Sequence, residues 1–160
     1  MTKYFYLILF GKMIDKGYPE LPAKSFYIEV TSQNPDIAII DSDYIILENY
    51  NIVPSQGIKE ETNKDYDFII NENVYQQNQY YPESIANVQQ PIIFRDHKLA
   101  SIALFPFQYN PATKELKVFT SITVSVSNAG SISSSKDNPM FADQLKNFVL
   151  NYDYPANFET

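Results

Sequence analysis

The stretch YNPATKELKVFTSITVSV, residues 109–126, decides the fold. It reads as a turn followed by a long alternating strand. Asn110-Pro111-Ala112-Thr113 carries turn chemistry, because proline sets φ for the first central residue and the asparagine side chain can bond back to nearby backbone. Behind the turn, Leu116, Val118, Thr120, Ile122, Val124 and Val126 share one face, and Lys117, Phe119, Ser121, Thr123 and Ser125 share the other. The first face is expected to meet a core and the second to stay mostly wet. Burying each aliphatic side chain is worth roughly 1.5–3 kcal/mol, so a one-residue slip in register is strongly opposed.

Similar segments recur on either side: Tyr4–Phe10, Ser25–Val30, Ile37–Ile46, Phe68–Ile70, Pro91–Phe94 and Leu99–Phe107. They are rich in β-branched and aromatic residues, and Gly-Tyr-Pro, Asn-Pro-Asp and Asn-Pro-Ala punctuate them. The spacing predicts an all-β chain, an antiparallel β-sandwich of jelly-roll-like type. A polar segment, Val53–Lys64, lies between strand-like Ile45–Ile52 and Phe68–Ile70 with Gly57 available for positive φ; a loop this long in a compact domain is more often functional or mobile than idle.

The period changes after residue 126. Residues 127–137, SNAGSISSSKD, form a Ser-rich tract that reads as a linker. Asn138 then caps a short helix with Pro139 at its first position, and Phe141, Leu145, Phe148, Val149 and Tyr152 fall on one helical face. The expected division is therefore a sandwich over 1–126, a linker over 127–137, and a helix with its tail over 138–160.

At 160 residues, with 44% hydrophobic side chains, 13 Tyr and 11 Phe, the chain is long and apolar enough to fold around a core. Nineteen acidic residues stand against 12 basic ones, for a net charge of −7, and no basic stripe exists to neutralise a phosphate backbone, so nucleic acid is excluded as a partner. The absence of cysteine removes disulfides, thiolate metal sites and thiol nucleophiles. The apolar run after Lys3 is too short to span a bilayer and lacks a small-x-small cleavage site, so it reads as a buried strand. Either the chain is cytosolic, or it is a fragment from which a secretion signal has been left out.

Catalytic machinery is hard to assemble from these residues. His97, the single histidine, lies in Phe94-Arg95-Asp96-His97 without the ligand count that a metal needs, and reads as a surface or turn residue. Arg95 is expected in a structural ion pair, and Glu60-Glu61 and Asp41/Asp43 as solvated charges. No phosphate loop, Gly-x-Ser-x-Gly or His-Glu-x-x-His occurs. No catalytic residue, metal or cofactor is expected. Tyr75, Tyr80 and Tyr81, set among Asn and Gln, have the chemistry of a carbohydrate platform, although amphipathic tyrosines more often tether a loop. From the residues alone, a stand-alone carbohydrate- or protein-binding module remains open.

The order of the motifs narrows this. Gly17-Tyr18-Pro19-Glu20-Leu21-Pro22, Val53-Pro54-Ser55-Gln56-Gly57, Tyr81-Pro82-Glu83, Pro91-Ile92-Ile93-Phe94-Arg95-Asp96 and Phe107-Gln108-Tyr109-Asn110-Pro111-Ala112-Thr113-Lys114-Glu115-Leu116 together resemble the propeptide domain of the gingipain family of caspase-like cysteine peptidases. The resemblance runs from about Lys16 to Tyr152. It implies a non-catalytic segment of a secreted or periplasmic bacterial zymogen, which assists folding of a catalytic domain in cis and covers its cleft. It also implies an inhibitory loop, here Gly57, Ile58, Lys59, Glu60, Glu61 and onward to Lys64, that presents a basic residue to the specificity pocket. In arginine-specific relatives that residue falls about four positions beyond the glycine, where this chain has Glu61, so the carry-over fails there; either Lys59 or Lys64 substitutes for it, or the cognate enzyme has a different specificity.

Overall fold

In the computed structural model, residues 11–13, 15–57, 67–94, 96–130 and 139–152 are described. The expected first strand Tyr4–Phe10, Asn138 and most of the Ser-rich tract lie outside them.

The elements run β1 (Gly11–Lys12), β2 (Pro22–Glu29), β3 (Ile37–Leu47), α1 (Glu72–Tyr75), β4 (Ala86–Val88), β5 (Ile92–Phe94), β6 (His97–Leu104), β7 (Phe107–Asn110), β8 (Glu115–Val126) and α2 (Pro139–Phe148). One sheet has the order β1-β2-β6-β4 with β5 also on β6, and the other has the order β3-β8-β7. The fold is an antiparallel β-sandwich with a short C-terminal helix, as expected.

The hairpin around the Asn110 turn is β7–β8, in register Phe107↔Val118 through Asn110↔Glu115. Asn110 Oδ1 accepts from the N–H groups of Ala112 at 3.1 Å and Thr113 at 3.4 Å, and Lys114 closes the loop at φ 58°. The alternation along β8 is weaker than the sequence suggests. Leu116 is buried, Val118, Ile122, Val124 and Val126 are half-buried, and Thr120 is exposed. On the opposite face Phe119 packs against Tyr44 with ring centroids 5.4 Å apart.

Three expectations are corrected. Leu99–Phe107 is two strands, since Pro106 has no N–H to continue a ladder and β6 stops at Leu104 before β7 begins at Phe107. The strand-like run Ile45–Ile52 ends at Leu47, two residues before Asn49 turns the backbone to φ 65°. Phe68–Ile70 forms no strand; the backbone of Ile69 is bound instead by the side chain of Gln56. The short helix α1 was not anticipated, although Asn71 is a good cap and its side chain accepts from Val74 N–H at 3.4 Å.

The chain divides into two compact units. The first comprises Met1–Lys24, Ile46–Glu83 and Phe105–Val118. Its core is Leu21, Tyr109 and Leu116, with Met13, Leu47, Ile52, Tyr75, Tyr81, Phe107 and Val118 packed around them.

The second comprises Ser25–Ile45, Ser84–Leu104 and Phe119–Thr160. Here the alternation of β2 and β6 sends successive side chains to opposite layers. Ile28, Val30, Ala100 and Ile102 form one core, with Ile37 of β3 and Val126 of β8 against it. Leu99 belongs to another, with Phe141, Ala142, Leu145, Val149 and Tyr152 from α2 and the residues after it. Of the predicted helical face, Phe148 alone is 38% exposed, and its ring still meets Tyr27 and Phe94.

Candidate functional site

In the first unit, the segment that enters the predicted loop is held from two sides. Glu20 N–H donates to Val53 C=O at 3.0 Å, Ser55 N–H to Tyr18 C=O at 2.7 Å, and Gly17 N–H to Ser55 C=O at 2.7 Å. These bonds follow from the Gly-Tyr-Pro-Glu and Val-Pro-Ser-Gln-Gly motifs, which lie side by side around a Pro19↔Pro54 bridge. Gly57, at φ 72°, turns the chain away, and its N–H donates to the Ser55 hydroxyl at 3.2 Å. Of the predicted loop residues, Gly57 is therefore placed at the mouth of this stem, while Ile58, Lys59, Glu60, Glu61 and Lys64 lie outside the described residues.

The returning leg is fixed at Ile69 and Asn71. Asn71 N–H donates to Gly17 C=O at 2.9 Å. The Gln56 amide accepts from Ile69 N–H at 2.9 Å and donates to Ile69 C=O at 3.0 Å and Pro54 C=O at 3.0 Å. Beside this stem, Val53, Phe68, Ile69 and Ile70 present exposed apolar surface.

Gly17 is required where it stands. Its φ is 86°, and a Cβ there would lie 2.9 Å from Asn71 N and 3.3 Å from the carbonyl carbon of Ile70. Gly17→Ala is expected to cost about 1–3 kcal/mol through left-handed strain and the forced shift of a packed backbone, read as a lower denaturant midpoint. A midpoint equal to that of the parent chain would contradict this account of the stem.

The tyrosine-rich segment VYQQNQYYPES is a tether. Tyr75 donates to Ile52 C=O at 2.8 Å, and burial, with Tyr109 nearby, pushes its phenol up to about 12. Tyr81 is raised by burial and then by Asp15, and its backbone exchanges bonds with Tyr109 at 2.8 and 2.9 Å. The Tyr80 hydroxyl donates to Glu115 at 2.6 Å, with the Lys117 ammonium 3.9 Å from the ring centre. That hydroxyl first, and the Thr113 hydroxyl second, hold the Glu115 carboxyl below the usual carboxylate range. Val74, Gln77, Gln79, Tyr80, Tyr81 and Glu83 line an open cavity of about 310 Å³. All three tyrosine hydroxyls are turned to protein acceptors rather than left for a sugar.

In the second unit, His97 overturns its expected surface position. It is completely buried, with Nδ1 2.7 Å from Glu29 Oε1, and Glu29 is equally inaccessible. The reason is alternation: β6 begins at His97, two residues before Leu99, so the imidazole takes the face that α2 covers. The ring lies 6.0 Å from that of Phe141 and 5.6 Å from that of Tyr152. Arg95 lies outside the described residues, and Asp41 and Asp43 are exposed on β3.

The chain following α2 is held on β2. Tyr27 and Val149 form a parallel bridge, and Leu150 N–H donates to Tyr27 C=O at 3.0 Å. Asn151 then accepts from Glu29 N–H at 2.7 Å and donates to Glu29 C=O at 2.9 Å. Among the described residues no cluster of three or more potential metal-binding side chains occurs, and no helix is long and apolar enough to cross a membrane.

Comparison with known proteins extends these observations. The family model Propeptide_C25 matches residues 9–158. Gingipain R1 of Porphyromonas gingivalis is 31% identical over 147 residues, which cover 87% of this chain and 15% of that protein. The chain thus spans a small fraction of the length of this relative. A solved complex of the pro- and mature domains of RgpB from P. gingivalis matches with a TM-score of 0.76 at 27% identity, covering 90% of this chain and 77% of that one. A structure concerned with the zymogenic latency of gingipain K from P. gingivalis shares the fold, with a TM-score of 0.63 at 20% identity over 76% of this chain and 71% of that one.

Proposed function

Because the chain belongs to the Propeptide_C25 family, we propose that it keeps a gingipain-like cysteine endopeptidase latent, assisting the fold of the catalytic domain and covering its cleft until removed. The observation that carries this reading is the likeness, over 90% of the chain, to a prodomain solved together with its mature domain. The partner is a caspase-like catalytic domain in cis, reached through the segment 138–160 that follows the sandwich and the Ser-rich linker. The setting is secreted or periplasmic. The catalytic residues belong to the partner, and the propeptide contributes a shape.

The inhibitory element is the loop from Gly57 to Lys64, and Lys59 is the side chain that enters the specificity pocket. Such a loop inhibits because its side chain fills the substrate site while its backbone is held away from the geometry of attack. The stem described above supports this reading, since both legs of the loop are bonded to the same unit. A rigid stem reduces the ordering entropy lost on docking.

The test titrates the catalytic domain encoded with this chain against the isolated propeptide and its Lys59→Ala and Lys64→Ala variants. Losing a buried charged contact typically costs about 2–5 kcal/mol, so Lys59→Ala is expected to raise Ki roughly 30- to 4,000-fold. Lys64→Ala is expected to leave it within a few fold. Unchanged inhibition by Lys59→Ala removes Lys59 from the pocket; absence of inhibition by the parent chain, or of any caspase-like domain after Thr160 in the gene, removes the latency reading.

A further inference from the structure

We infer that Gln56 is the positioning residue of the inhibitory loop: one side-chain amide ties both legs of the loop together, and inhibition depends on that tie. The inference rests on the latency reading above and adds to it a residue that does not itself enter the pocket.

The geometry is specific. Gln56 Oε1 lies 2.9 Å from Ile69 N, and Nε2 lies 3.0 Å from Ile69 O, so the amide meets one residue's N–H and C=O together. A neighbouring β-strand would satisfy Ile69 in the same manner. This explains why Phe68–Ile70, apolar and strand-like in sequence, stays out of both sheets yet is held in place. The second Nε2 hydrogen reaches Pro54 C=O at 3.0 Å, on the outgoing leg. One planar group therefore joins positions 54 and 69 across the whole loop.

No shorter or simpler side chain can do this. Asparagine lacks the reach by one methylene. Glutamate keeps the acceptor for Ile69 N–H but places negative charge against the carbonyls of Ile69 and Pro54. The other stem bonds, from Gly17, Tyr18 and Glu20 to residues 53–55, are backbone to backbone and fix the outgoing leg alone. Asn71 N–H to Gly17 C=O fixes the returning leg two residues further from the loop. Ile69, the third described residue on the returning leg, is held through Gln56.

The consequence is preorganisation. Closing a loop costs entropy that grows slowly with its length, and a clamp at the base removes part of that cost before the partner arrives. Without the clamp positions 54 and 69 are no longer tied, and more of the ordering cost falls on docking. A loose loop is also a better substrate: water can add across a peptide bond in it, hydroxyl to the carbonyl carbon and hydrogen to the amine, once that bond can reach the geometry of attack.

The experiment uses the whole propeptide chain with Gln56→Ala and Gln56→Glu, against the catalytic domain encoded with it. Three quantities are read: Ki, the rate at which the chain is cut between Gly57 and Phe68, and hydrogen exchange at the Ile69 amide. Both variants are expected to raise Ki roughly 10- to 100-fold and to be cut faster than the parent, at a nearly unchanged denaturant midpoint. Gln56→Ala is also expected to lose exchange protection at Ile69. Gln56 is half-buried and contributes to none of the three core clusters, so the variants keep the fold. Inhibition and cutting equal to the parent's in both variants overturn the inference while leaving the latency reading standing. A parent chain that does not inhibit overturns the latency reading and the inference with it.

Discussion

His97→Ala is expected to lower the free energy of unfolding by about 3–5 kcal/mol, seen as a large drop in the denaturant midpoint. The imidazole sits 2.7 Å from the Glu29 carboxyl with side-chain exposures of 1% and 0%. Alanine removes that bond from a fully buried carboxyl and deletes the ring contacts to Phe141 and Tyr152. Leaving one member of a buried pair costs far more than the pair contributes as a whole. The double variant Glu29→Leu/His97→Phe, which removes that carboxyl as well, is expected to regain part of the loss. A single variant that costs less than about 1 kcal/mol, the scale of an exposed pair, would contradict this assignment.

Leu145→Ala is expected to cost about 2–5 kcal/mol. Leu145 has no exposed surface and packs with Leu99, Phe141, Ala142, Val149 and Tyr152, so the cavity has rigid walls on the sheet side and can collapse only by moving α2. The loss should be felt locally first, as faster hydrogen exchange at the amides of Leu150 and Val149, which bond to Tyr27 and Leu145. Phe148→Ala, at a residue 38% exposed on the same helix, provides the contrast and should cost distinctly less. Equal effects at the two positions would show that α2 is not anchored through Leu145.

Local signals were legible wherever a single segment carries its own pattern. The Asn110 turn, β8 and the amphipathic α2 each declare themselves through spacing, and the ordered motifs along the chain carried the family. Long-range polar pairing was not legible. His97 looks like a surface residue because its partner, Glu29, lies in another strand, and nothing near His97 in sequence announces it. Extending the alternation of Leu99 back by two positions would have placed His97 on a covered face, but not named what it meets. Phe68–Ile70 misled for a related reason: its apolar residues suit a strand, while its hydrogen bonds are satisfied by a glutamine whose role no periodicity records. The loop stem was visible as two motifs, yet their mutual bonding depends on the approach of Gly17 to Asn71, which composition does not encode.

The segment after α2 has a bearing on solubility. Among the described residues β1 pairs with β2 at Pro22 and Ala23, and without the segment after α2 the Tyr27 C=O and the Glu29 N–H would lose their partners, as at an open sheet edge. Edges of that kind recruit strands from other molecules and seed aggregates. Leu150 and Asn151 occupy it, one with a backbone N–H and the other with an amide that carries both a donor and an acceptor. Asn151 thus serves as a stopper: it satisfies Glu29 as a neighbouring strand would, but a side chain offers no ladder for the next molecule to extend.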